Sequence, residues 1–176
     1  MNNPVNIKEI PVSIFCAVSI IIIFSLYTTT VFKEIPCGKD VMSIFYSNFV
    51  HIDIYHLVSN VLALYALSRV EVAIGGKKFV ALIVFLLVFN TIMEVVINSI
   101  FKTLPCSIGF SGVLFGIATW ELVTKKGLDW VVALSIVIML VGPSIKNPKA
   151  SFLGHIVGVI SGVVGGLIVS KIPQFS

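Results

Sequence analysis

Residues 151–169 read SFLGHIVGVISGVVGGLIV. The run carries no Asp, Glu, Lys or Arg. As a helix, its 19 residues would be about 28 Å long at 1.5 Å per residue, close to the roughly 30 Å hydrocarbon core of a bilayer. Gly154, Gly158, Gly162 and Gly166 recur every fourth residue and so line one face. Such a ladder lets a neighbouring helix approach closely in lipid, where the ordinary hydrophobic drive for helix association is absent. One polar ring, His155, interrupts the run. Ionisable groups at membrane depth are costly and mark candidate functional positions. The stretch predicts a membrane helix packed tightly on a partner, with a functional histidine near its first turn.

The rest of the chain has the same character. Of 176 residues, 57% are hydrophobic and 11% charged, and the mean hydropathy is +1.08. Soluble domains carry about 25% charged residues, so a water-soluble globule and a disordered chain are both excluded. Working outward from 151–169, five further apolar runs appear: Pro11–Phe32, Tyr55–Ile74, Phe79–Phe101, Ser111–Val123 and Leu128–Val141. The expectation is an all-α membrane protein of six transmembrane helices, forming a single domain over 1–176. A long polar loop, Lys33–Ile54, follows the first helix. The fourth and fifth runs are short, so the loop before Ser111 is expected to dip into the protein, where irregular backbone is tolerated. The first run is too long for a cleavable leader and lacks a small-residue cleavage site.

Six crossings put both termini on one side. That side carries Lys8, Arg69, Lys77, Lys78, Lys125, Lys126 and Lys171, and the other carries Lys33, Lys39, Lys102, Lys146 and Lys149. Seven against five favours cytosolic termini. Trp120 and Trp130 flank Lys125-Lys126, as interfacial tryptophans do. The net charge of +4 suits loops that meet anionic lipid, and no dense basic patch points to nucleic acid. No Cys-x-x-Cys pair suggests a thiolate metal site. Cys37 and Cys106 lie in loops on one side and would form a tether there if that side is oxidising.

Four polar groups interrupt the apolar runs: His51, His56 and Asn60; Gly109-Phe110-Ser111-Gly112; Gly154-His155; and Asn90, Glu94 and Asn98. Each has a plain structural explanation: a packing histidine, a helix N-cap at Ser111, a close-packing glycine face, a buried polar seam. Depth sets the first three apart. Arg69, Lys125 and Lys171 end three helices that run the same way. Counting back from them, His56, Ser111 and His155 lie about 20, 21 and 24 Å away. All three therefore fall at nearly one level, about 6–10 Å below the opposite surface.

A serine and two histidines at one depth suit acyl transfer. Serine needs a base to take its proton, and His155 can serve. Ser111 opens a helix, where free N–H groups face a developing anion. His56 and Asn60, one turn apart, can add donors to an oxyanion hole. Gly158 and Gly162 bring His155 within reach, and Phe115, one turn beyond Ser111, can stack on its ring. No Asp or Glu obviously completes a triad.

From about Phe49 to Gly166 the chain resembles the rhomboid family of intramembrane serine proteases. His51, His56 and Asn60 are similar to its His-x4-His-x3-Asn stretch. Gly109-Phe110-Ser111-Gly112, extended to Phe115-Gly116, is similar to its Gly-x-Ser-Gly nucleophile motif. Gly154-His155 with Gly158 and Gly162 is similar to its catalytic-histidine helix, and Glu71, Gly75 and Phe79 to its connection between the second and third helices. The resemblance implies a dyad of Ser111 and His155 without a cofactor or metal. It implies an oxyanion hole of the Ser111 N–H, His56 and Asn60, with His51, Gly109, Gly112, Phe115, Gly158 and Gly162 in support. It also implies single-span membrane proteins as substrates, cut after a small residue. The Trp-Arg pair frequent in the family's first loop is missing from Lys33–Ile54.

Two other classes stay open: a rhomboid-like protein that binds membrane clients without cutting them, and a small transporter using Asn90, Glu94 and Asn98. A zinc site at His51, His56 and His155 is a minor third, without a His-Glu-x-x-His motif to support it. The expected location is a prokaryotic plasma membrane, with the site open to the non-cytosolic side.

Overall fold

The computed structural model describes residues 6–31, 40–101, 107–125, 130, 133–134, 136–137 and 152–171. These residues form six α-helices and a short 3-10 turn at Ile7–Glu9: α1 Pro11–Thr28, α2 Val41–Ser47, α3 Ile54–Ile74, α4 Gly76–Ile100, α5 Ser111–Thr124 and α6 Phe152–Ser170. No strand occurs among the described residues. α1, α3, α4 and α6 are long and apolar enough to cross a bilayer, and α5 is apolar but shorter. The protein is an integral membrane protein. The expected fifth span, Leu128–Val141, falls mostly outside the described residues, as do Cys37, Cys106 and Gly142-Pro143.

The long first loop is more structured than its polarity suggests, for it contains α2. Asp40 caps that helix, its side chain accepting from the Ser43 N–H at 2.9 Å. Asp53 caps α3 in the same way, accepting from the His56 N–H at 2.8 Å. The turn between α3 and α4 is shorter than expected. Gly75 alone makes it, at φ 82°, so Lys77 and Lys78 lie in the first turn of α4 and not in a loop. α1 starts at Pro11, which needs no N–H partner. Its next free amides are met from another helix: the Glu71 carboxylate of α3 accepts from the N–H groups of Val12 and Ser13, both at 2.8 Å, and from the Ser13 hydroxyl at 2.7 Å.

α5 is the centre of the bundle. Gly112 to Ile117 and Thr119 to Glu121 are all buried. At 14 residues it is about 21 Å long, short of the hydrocarbon thickness. Trp120 is therefore in the core, packed near Gly162 and Gly165, and not at the interface as expected; Trp130 is exposed. α5 and α6 make the most extensive helix pairing. A Cβ on Gly158 would overlap the Gly112 carbonyl oxygen, and one on Gly162 the Gly116 carbonyl. The glycine face thus lets two backbones touch. Gly116 receives Leu86 of α4 in turn, where an added Cβ would sit 2.6 Å from Leu86 Cδ2. Outside this core, exposed Ile21, Leu62, Val84, Val88, Ile92 and Leu167 form the apolar exterior that lipid covers.

Candidate active site

Ser111 is the first residue of α5 and His155 lies in the first turn of α6. Backbone contact between the two helices fixes how far apart these side chains can be. His155 Nε2 and Ser111 Oγ are 3.0 Å apart, a hydrogen-bond distance. For the hydroxyl to donate, Nε2 must be the bare nitrogen and Nδ1 must carry the proton. Nδ1 has no hydrogen-bond partner among the described residues. What holds the ring is aromatic: Phe115 lies over it, centroids 4.6 Å apart and planes tilted by 36°.

His56, in the first turn of α3, is half-buried over the loop that leads into α5. That loop passes at Gly109, whose φ of 110° disfavours any side chain. Space forbids one as well, since a Cβ there would stand 2.5 Å from His56 Cε1 and 2.7 Å from Nε2. The Gly109 N–H donates to the Ser47 carbonyl at 3.0 Å, so α2 anchors the loop. His51 meets the His56 ring edge-on, centroids 4.9 Å apart. It lies between α2 and α3, and burial, aided by the neighbouring His56, pulls its imidazole down to about 4. Asn60 is buried and turns its amide to the His56 carbonyl of its own helix at 2.9 Å, which engages one of its two amide hydrogens.

A cavity of ≈ 10 Å³ opens against Ser111, about the size that admits one water molecule. Its walls include Gly109, Gly112, Gly154, Ser107, Asn48 and Glu94. Three of these, Asn48, Ser107 and Glu94, were not expected at the site. In sequence Glu94 belongs to a polar stripe, but its neighbourhood to Ser111 depends on how α4 packs against α5 and α6, which no local pattern encodes. Ser107 hydrogen-bonds to Glu94. Asn90 packs beside Gly112, and neither of its amide atoms has a partner among the described residues. Asn98 is only half-buried. No cluster of three or more His, Cys, Asp or Glu suited to a metal occurs among the described residues.

Fold and site together define a helical integral membrane protein with a serine and a histidine in contact between two glycine-packed helices. Residues 38–172 match the family described as Rhomboid domain. A protein of Acanthamoeba polyphaga mimivirus, named a "putative rhomboid protein", is 26% identical over 128 residues, 72% of this chain and 74% of its own length. The chain belongs to the rhomboid family.

Proposed function

We propose that the protein is an intramembrane serine endopeptidase that hydrolyses peptide bonds in or near the transmembrane segment of membrane-protein substrates. The observation that carries this is the 3.0 Å contact between His155 Nε2 and Ser111 Oγ at the mouth of α5. Rhomboid membership supports it, and so does the water-sized cavity against the same hydroxyl.

Ser111 Oγ attacks the scissile carbonyl while its proton passes to His155 Nε2. The oxyanion that forms meets the Ser111 N–H at the helix N-terminus, the His56 ring and the remaining amide hydrogen of Asn60. The carbon–nitrogen bond breaks as His155 returns the proton to the leaving amine. Water then attacks the ester on Ser111, giving its proton through His155 back to the serine oxygen. Phe115, stacked on the ring, keeps the imidazole facing Ser111, a task that in a triad falls to a carboxylate at Nδ1. His51 and Gly109 seat His56, and Gly112, Gly158 and Gly162 bring α6 onto α5.

In this reading residues 1–176 are one domain of six spans, with residues 107–110 dipping inward and the site opening to the non-cytosolic side. The proposed location is a prokaryotic plasma membrane, with cytosolic termini that fit the lysine distribution. Substrate enters sideways from lipid between α3 and the fifth span. Cysteine cross-links between those two segments are expected to stop cleavage, and full activity in a completely cross-linked sample would count against lateral entry.

The direct test incubates purified protein in mild detergent with a single-span substrate carrying small and helix-breaking residues near one end of its span. Wild type is expected to cut it, and Ser111→Ala and His155→Ala are expected to lose at least about 10³-fold. A serine-reactive phosphonate should label wild type and not Ser111→Ala. Cleavage by Ser111→Ala, or no labelling of any form, would overturn the proposal.

A further inference from the structure

Glycine and serine make much of the wall around the cavity at Ser111, while Glu94 supplies its carboxyl. Glu94 lies on α4 and is only 6% exposed. Its Oε1 would stand 3.4 Å from a Cβ on Gly154, so the carboxyl faces the first turn of α6. Ser107 bonds to it, yet a carboxyl has more acceptor capacity than one hydroxyl fills. Asn48, on the same wall, spends its amide hydrogens on the Ile44 and Phe45 carbonyls. A water-sized recess with a carboxyl on its wall, touching the serine, is more selective than a merely small one.

Resting on the proteolytic reading above, we propose that Glu94 sets cleavage specificity: its carboxyl accepts a hydrogen bond from a small hydroxyl-bearing side chain, serine in preference to alanine, on the substrate residue whose carbonyl Ser111 attacks. That side chain branches one bond from the reacting carbon, closer to Ser111 than any other on the substrate. A hydroxymethyl group that enters the cavity donates a hydrogen bond to the carboxyl. A methyl group has no donor and cannot make that bond. A branched apolar side chain such as that of valine likewise has no hydroxyl to make that bond.

The test uses full-length protein and three single-span substrates, identical but for Ala, Ser or Val before the scissile bond. The readout is the ratio of kcat/KM for Ser to that for Ala, which a loss of folded enzyme does not alter. Wild type is expected to favour Ser about fivefold, the worth of one net hydrogen bond, and to cut Val poorly. Glu94→Leu should bring the ratio near one. Glu94→Met, similar in size and without an oxygen acceptor, should do the same, so the test holds if the leucine variant does not fold. An unchanged ratio in the variants, or a wild type that prefers Ala, overturns the assignment of Glu94 while leaving the protease standing. A wild type that cuts none of the three and takes no phosphonate label overturns the protease, and this specificity with it.

Discussion

His51 shows how much one side chain between two helices can reveal. It is 3% exposed, held between α2 and α3. A proton on it would be buried beside the His56 ring, which is why its imidazole is pulled down to about 4 from an ordinary 6.5. The unfolded chain protonates this residue near pH 6.5 and the folded chain resists until about pH 4. Between those values the unfolded state binds more protons, so folding stability falls as the pH falls. His51→Phe keeps an edge-on ring against His56 and removes the titration. It is expected to flatten the acid limb of a detergent unfolding profile by roughly 3 kcal/mol across that window. An acid limb identical to wild type would show that His51 is not what titrates. The histidine was visible in sequence as part of a spaced motif. Its burial was not, because that depends on α2 closing over it.

α5 and α6 are the pair on which the site depends, and here sequence and structure correspond through one physical rule. A glycine every fourth residue means a face without side chains, and in lipid that is where helices meet. The partner could not be read from α6 alone; the structure shows that Gly112 and Gly116 on α5 form the complementary face. Gly158→Val puts side-chain carbons where the Gly112 carbonyl now lies. The helices must then separate, at an overpacking cost of about 1–3 kcal/mol. Ser111 and His155 separate with them, so phosphonate labelling should fall steeply in protein that still folds. Labelling at wild-type rate in a folded Gly158→Val protein would disprove the link between backbone contact and the Ser–His distance. Short polar features were harder to read. Asp40 followed by Ser43 is a helix-start pattern, yet the polarity around it reads as loop. Glu94 needed the crossing of three helices to become a neighbour of Ser111.

At the scale of the whole molecule, the question is what fastens α1 to the bundle. The family match begins at residue 38, after α1 has ended. α1 contacts chiefly α3, and it buries only Ser13, Cys16 and Ile20. Apolar contact is a weak fastener within lipid, since lipid tails offer the same surroundings. The specific tie is Glu71, fully buried on α3, which accepts three hydrogen bonds from the first turn of α1. A carboxylate at a helix N-terminus also suits the positive end of the helix dipole. Glu71→Ala leaves the Val12 and Ser13 amides without acceptors, at about 1–3 kcal/mol for each orphaned donor. Glu71→Gln retains one acceptor oxygen and should lose less. Because Glu71 sits at the opposite end of α3 from His56, the loss should appear as a lower unfolding temperature in detergent and faster proteolysis near residue 30, with phosphonate labelling of Ser111 preserved below the transition. Labelling lost in step with α1 would instead mean that α1 supports the site itself. An unfolding temperature equal to wild type in Glu71→Ala would mean that lipid-like packing alone holds α1 in place.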